Sequence, residues 1–211
     1  MIGKFITVEG TDGSGKSTQI DMLMSYLNEK NADVIFTREP GGTDISEKIR
    51  EIILDINNRS MTGMTEALLY AAARSQHVQE KITPAVNSGK IVICDRFIDS
   101  SIAYQGEARG LGIDNIMAIN NFALNGIMPD MTLFFDLPPE KGILRKKNER
   151  LLDRLEAEKI DFHKKVYEGY KKLCRKYPER IKVIDADDSM ENIHNKVVKA
   201  VDILLKGKYY V

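Results

Sequence analysis

Gly10-Thr11-Asp12-Gly13-Ser14-Gly15-Lys16-Ser17 fits the spacing G-x-x-x-x-G-K-[ST] in full, and Thr18 follows it. Residues of these types at this spacing can hold a chain of phosphates. The glycines allow backbone angles closed to other residues, so that N–H groups converge on phosphate oxygens. A helix opening at Lys16 would add the partial positive charge of its N-terminus. Lys16 brings a full positive charge to β- and γ-phosphates, and the Ser17 hydroxyl is placed to ligate Mg²⁺. The bland alternative is a glycine-rich turn that binds nothing. The apolar run Phe5-Ile6-Thr7-Val8 before the loop and a helical pattern after it favour the phosphate cradle.

A second group of residues could serve a second anion. Arg38 opens Arg38-Glu39-Pro40-Gly41-Gly42-Thr43, whose Pro-Gly-Gly turn would hold backbone close to a ligand. Arg50 lies in the helical pattern that follows. Tyr70 and Arg74 are four apart and share one helix face, where a ring and a guanidinium could stack on a base and donate to its edge. Spacing alone leaves open the other reading, a core tyrosine beside a surface arginine. Asp95 and Arg96 end the apolar run Ile91–Cys94. Asp95 could hold Mg²⁺ through a water, and Arg96 could reach two phosphates at once. An exposed Asp–Arg pair would be the alternative, and would add little stability.

These residues need a scaffold that brings strand ends together. Apolar runs at Phe5–Val8, Val34–Thr37, Ile91–Cys94, Thr132–Phe135 and Ile181–Ile184 predict five strands. Helical patterns lie between them, at Lys16–Leu27, Ile45–Ile53, Thr65–Val86, Ile113–Asn125, Glu156–Lys176 and Met190–Leu205. Short strands alternating with helices predict an α/β chain, a five-stranded parallel sheet with helices on both faces. Such sheets bind ligands beyond the C-terminal ends of their strands, where the motifs fall.

The 211 residues fit one domain, 1–211. Lys plus Arg and Asp plus Glu number 31 each. There is then no broad basic field to capture nucleic acid, and anion recognition falls to a few placed residues. Cys94 and Cys174 have no metal-ligand spacing, and Cys94 in its apolar run reads as a small core residue. His77, His163 and His194 sit among polar neighbours and read as surface residues. The N-terminus has no signal-peptide layout and no stretch spans a bilayer, so a cytoplasmic location is the default.

The phosphate cradle alone does not name a reaction. A GTPase should carry Asp-x-x-Gly after the third strand and an Asn-Lys-x-Asp guanine reader, and neither occurs. The chain is short for a mechanical ATPase. A small-molecule kinase using ATP is the class left, its acceptor a nucleoside monophosphate or another small metabolite, with a nucleotide-dependent switch as the less favoured rival.

Three segments together resemble the thymidylate kinases over nearly the whole chain. They are Val8 to Thr18, Arg38 to Thr43, and Asp95-Arg96-Phe97-Ile98-Asp99-Ser100-Ser101-Ile102-Ala103-Tyr104-Gln105. The resemblance implies a three-layer P-loop kinase fold with a short lid at about 142–154, ATP and Mg²⁺, thymidine monophosphate as acceptor, and a homodimer. It implies that Gly10, Thr11, Asp12, Gly13, Ser14, Gly15, Lys16, Ser17 and Thr18 bind ATP. Asp12 would approach the sugar 3′-hydroxyl or the Mg²⁺ shell. Arg38, Arg50 and Arg96 would surround the acceptor phosphate. Tyr70 would stack on thymine, Arg74 would donate to a thymine carbonyl, and Ser101 and Gln105 would face the base edge. Tyr104 would crowd the sugar C2′. Phe97 stands where tyrosine is commoner, so the ring is kept and a hydroxyl is lost. Family members place a catalytic arginine either in the P-loop or in the lid. Here the P-loop position is Gly13, which leaves Arg150 as the chosen lid residue, with Arg145, Arg154, Lys146 and Lys147 nearby. The turn Asp185-Ala186-Asp187 is a candidate backbone contact for adenine. Lys16, Asp12, Arg96 and Arg150 would then carry catalysis, with Ser17 and Asp95 on the metal.

Overall fold

The computed structural model describes residues 3–146 and 153–206. Five strands form one parallel sheet in the order β2-β3-β1-β4-β5. They are β1 (Lys4–Gly10), β2 (Val34–Arg38), β3 (Ile91–Asp95), β4 (Met131–Asp136) and β5 (Ile181–Asp185). Each covers its apolar run and extends it by one to three residues. Val8 pairs with Asp95, Arg38 pairs with Asp95, and Gly10 pairs with Phe135. Register therefore brings Arg38, Asp95 and the start of the phosphate loop to one edge of the sheet.

The sheet has a core on each face, because side chains alternate along a strand. Along β3, Ile91 and Ile93 join one cluster while Val92 and Cys94 join the other. The first cluster receives Ile20, Leu23 and Leu27 of α1 (Lys16–Glu29) and Val197, Val201 and Leu205 of α9 (Met190–Leu205). The second receives α3 (Gly63–His77), α6 (Ile113–Leu124) and α8 (Ile160–Lys176). Each such aliphatic side chain contributes about 1.5–3 kcal/mol on burial. This is the three-layer α/β arrangement that the alternating pattern predicts. Helix starts are fixed by side-chain caps. Thr43 accepts from Ser46 N–H to open α2 (Asp44–Leu54), and Thr62 accepts from Thr65 N–H to open α3.

Three expectations need correction. The pattern over Thr65–Val86 is not one α-helix. After α3 the chain widens into a π-helical stretch, Val78–Ile82, before α4 (Thr83–Asn87). Pro84 has no N–H for the regular ladder, and Thr83 N–H reaches back five residues to Val78. The signature segment is itself helical, α5 (Ile98–Ser101) running into a π-helical stretch Ile102–Ala108. A further helix, α7 (Pro139–Lys146), occupies the start of the expected lid. The third correction concerns the histidines. His77 and His163 are buried, and His194 is half-buried. His77 lies four residues after Ala73 and three after Arg74, on the buried face of α3, and its polar sequence neighbours misrepresent it.

Candidate active site

One cleft of about 500 Å³ lies across the C-terminal ends of β1, β2 and β3. Asp12 to Thr18 line one side. Arg38, Arg50, Tyr70, Arg74, Tyr104 and Gln105 line the other, and Asp95 and Arg96 lie in the same wall. Residues from four separate parts of the sequence thus share one space.

On the loop side, Gly13 (φ +74°) and Gly15 (φ +87°) adopt left-handed backbone, which fits glycine there. Lys16 is buried, and its ammonium donates to the carbonyls of Gly10 and Thr11, each at 3.2 Å. Burial first, and the Arg96 charge second, lower its pKa to about 8. A Cβ on Gly13 would run into the carbonyl of Gly142 in α7. With α7 in this place the loop has no room for a side chain at Gly13.

Arg96 stands at the junction. It is a non-glycine residue at φ +67°, a conformation that costs of order 1–3 kcal/mol and needs surrounding support. The support comes from Glu9, a buried carboxylate at the end of β1. Its Oε1 accepts from Phe97 N–H (2.7 Å) and Ser100 N–H (3.2 Å), fixing the turn that carries Arg96. Its Oε2 accepts from the hydroxyls of Ser100 (2.6 Å) and Tyr170 (2.8 Å). Arg96 Nη1 donates to both of those hydroxyls, and Nη2 donates to Asp12 Oδ1 at 2.8 Å. The guanidinium also lies over the Tyr104 ring. Burial first, then the Asp99 charge, raise the Glu9 pKa to about 7. Nearby phenols and carboxylates hold Arg96 well above the usual arginine range against the effect of burial.

The far wall is a set of arginines held from behind. Arg38 makes a two-pronged pair with Glu47 (3.0 and 2.9 Å). Arg50 donates to the Pro40 carbonyl at 2.8 Å, and burial together with the neighbouring Arg38 charge lowers its pKa. Arg74 is buried. Its Nε donates to Glu39 Oε2 at 2.8 Å and its Nη1 donates to Ser101 (3.1 Å) and to Asn120. Its guanidinium sits over the Phe97 ring, so Phe97 supports Arg74 from within the core. The picture of a surface arginine beside a core tyrosine is reversed: Arg74 is enclosed and Tyr70 is half-buried. Gln105 donates to buried Glu66 at 2.9 Å, while its own carbonyl oxygen has no partner among the described residues.

Not every expected residue reaches the cleft. Ser101 does not line it and stands behind Arg74 as an acceptor; Gly10 and Thr11 form the loop without lining it. Arg154 is unavailable as a lid charge. It is buried, donates to the Ile53 carbonyl and pairs with Glu66 at 2.7 Å. Arg145 does line the cleft, donating to the Ala186 carbonyl at 3.2 Å. The Asp185–Asp187 turn therefore meets α7 rather than lining the cleft itself. Arg150, Lys147 and the side chain of Lys146 lie outside the described residues.

Sequence reasoning gave no role to Glu9, Glu39, Glu66, Ser100, Asp153 or Tyr170. Glu9, Glu39 and Ser100 stand inside the quoted motifs, which was the available signal. Asp153 lines the cleft, and burial raises its pKa.

The donor set can be tested for a metal. Asp95 Oδ1 is buried with no hydrogen-bond partner among the described residues, and Ser17 lines the same cleft. A carboxylate and a hydroxyl oxygen suit Mg²⁺, which keeps waters and substrate phosphates as its other ligands. The residues present fit that ion.

The thymidylate kinase family model matches residues 8–197. A thymidylate kinase from Clostridium novyi is 56% identical over 197 residues, covering 92% of this chain and 96% of that protein. One from Geobacillus sp. is 50% identical over 210 residues, covering 99% of this chain and all of the relative. The crystal structure of thymidylate kinase from Ehrlichia chaffeensis superposes with a TM-score of 0.77 at 33% identity, covering 96% of this chain and 99% of that one.

Proposed function

Because the chain belongs to the thymidylate kinase family, and so phosphorylates thymidine monophosphate with ATP as donor, we propose that the single cleft holds both nucleotides with Arg96 between them. The observation that carries this reading is the placement of Arg96. It shares a wall with Asp95, hydrogen-bonds Asp12 of the phosphate loop, and faces the same space as Arg38 and Arg74.

In this proposal Gly10 to Thr18 hold the ATP phosphates, with Lys16 on the β- and γ-groups. Arg38, Arg50 and Arg96 receive the acceptor phosphate. Tyr70 stacks on the base, Arg74 and Gln105 read its edge, and Ser101 acts on the base only through Arg74. Tyr104 closes the space beside C2′, and Asp12 serves the sugar 3′-hydroxyl or the metal shell. Ser17 and Asp95 would hold Mg²⁺, which when bound neutralises phosphate charge. Arg145 and, by family resemblance, Arg150 supply the lid charge, and 1–211 forms one kinase domain with its lid at about 142–154.

The chemistry asked of these residues is positioning and charge neutralisation. The acceptor oxygen is already anionic at neutral pH, so no strong base is needed. Lys16 and Arg96 stabilise charge as it moves between donor and acceptor, and a closed lid keeps water from the transferring group.

We extend the proposal to a homodimer in the cytoplasm. Met64 and Leu68 of α3 and Phe122 of α6 are exposed, Phe122 to 90%, on two helices that pack together. No helix among the described residues is long and apolar enough to cross a membrane.

ADP formation with ATP and magnesium, measured for thymidine, uridine and cytidine monophosphates and without acceptor, tests the acceptor. We expect rapid turnover with thymidine monophosphate alone. Equal slow hydrolysis in every case would overturn the reading in favour of a nucleotide switch.

A further inference from the structure

His77 is fully buried at the end of α3 and does not line the cleft, yet both of its ring nitrogens are engaged. Nδ1 lies 3.0 Å from Glu39 Oε1. The Glu39 carboxylate already accepts from the Arg74 guanidinium at its other oxygen, and Oε1 likewise accepts here, so Nδ1–H donates. Nε2 lies 2.7 Å from the Thr37 hydroxyl at the end of β2. The ring thus joins α3 to the strand end and loop that carry Arg38 and Glu39.

The other oxygen of Glu39 serves Arg74. Nε donates to Oε2, and Nη2 lies 2.8 Å from the same oxygen. Glu39 has three side-chain torsions, the last of them broad. Arg74 pulls on Oε2 alone, so the contact at Oε1 is what sets the plane of the carboxylate. With that plane fixed, and Nη1 committed to Ser101 and Asn120, the Arg74 fork has one orientation toward the cleft.

The ring also carries the Pro-Gly-Gly turn. Gly42 is at φ +88°, and a Cβ there would lie 2.6 Å from His77 Nε2 and from the Thr37 hydroxyl. Backbone therefore rests directly on the His–Thr pair. The same turn presents the Pro40 carbonyl that anchors Arg50. One imidazole bears on Arg74 through Glu39 and on Arg50 through the turn.

We propose that His77 is a positioning residue for the acceptor, fixing Arg74 and the Arg50 turn without touching either nucleotide. It rests on the reading of Arg74 as a contact to the acceptor base. The asparagine amide can take the place of Nδ1, whereas glutamine places its amide near Nε2. Steady-state kinetics should therefore separate the two variants. His77→Gln should raise the KM for thymidine monophosphate about tenfold, the loss expected for a hydrogen bond to a charged group, with the KM for ATP and kcat unchanged. His77→Asn should return that KM to within about threefold of the parent. Equal loss in both variants, or an equal rise in the KM for ATP, would show that the ring only fills space and would overturn the proposal. Arg74→Gln is measured in parallel. If it leaves the acceptor KM unchanged, the base contact itself is wrong. If it raises that KM while His77→Gln does not, the base contact stands and the role of His77 falls. Should His77→Gln fail to fold, Thr37→Val removes only the hydroxyl at Nε2, and an about threefold rise in the acceptor KM is expected. No rise there would equally overturn the proposal.

Discussion

Lys16 and Arg74 are both buried cations in one cleft wall system, 7% and 1% exposed, and they are treated differently. Lys16 has two carbonyl oxygens and no carboxylate within ion-pair distance among the described residues, and its pKa is lowered to about 8. Arg74 has Glu39 against it. Arg50 resembles Lys16, with a single carbonyl acceptor and a lowered pKa, whereas Arg38 and Arg96 have carboxylate partners in Glu47 and Asp12. An uncompensated buried charge is costly and is relieved by an incoming anion. A compensated one adds little net field but a well-oriented donor. The contrast agrees with the proposed roles, in which Lys16 and Arg50 meet phosphate and Arg74 meets a neutral base. In the same proposal, a phosphate arriving at Arg38 and Arg96 would displace or share their partners Glu47 and Asp12.

The largest expected effect falls on Lys16. Lys16→Ala should reduce kcat by about 10²–10³-fold or more, the scale for losing one group that neutralises transition-state charge, measured as ADP formation at saturating acceptor. Retained turnover would show that the Lys16 charge is not needed at the transferring phosphate. Next in size is the pair Arg50 and Arg74. Each truncation should weaken thymidine monophosphate about 10–100-fold, but only Arg74→Ala should also weaken the nucleoside thymidine, which has no phosphate. A calorimetric comparison of the two ligands decides it, and equal losses for both ligands in both variants would erase the distinction.

The smallest effects are in pH. The lowered Lys16 pKa means that the acceptor-free protein loses this proton as pH rises through about 8. ATP affinity should be flat below that point and weaken by up to about tenfold per unit above it. For stability the sign is opposite, since the cost of the buried charge is present below pH 8 and vanishes toward the unfolded value of 10.5. Glu9 runs the other way. Its pKa is raised from 4.5 to about 7, so its contribution is fully present below pH 4.5 and lost as pH rises through 7. Glu9→Gln should flatten that part of the stability curve in denaturant titrations.

How much of this was legible in the sequence follows from distance along the chain. The phosphate loop was readable because its contacts are local: Lys16 reaches Gly10 and Thr11, six and five residues back. The five strands were readable because both faces of a parallel sheet are buried, so each strand is an apolar run. The supports were not readable, because their partners are remote. Arg74 and Glu39 are 35 residues apart, and Tyr170 and Glu9 are 161 apart. The burial of Tyr170 was foreseeable, since it falls in the apolar stripe of α8 with Phe162, Val166 and Leu173. Its hydroxyl contact was not. His77, Glu39 and Glu66 fail for a related reason. A polar residue is taken as exposed unless its partner is known, and each of these is buried because the partner exists.

The most direct test of two separable anion sites in one cleft is a calorimetric titration of thymidine monophosphate into Lys16→Ala. We expect a dissociation constant within about twofold of the parent, as for sites that do not share partners. A loss of tenfold or more, on the order of 1.4 kcal/mol, would mean that Lys16 belongs to the acceptor site as well and would contradict the separation.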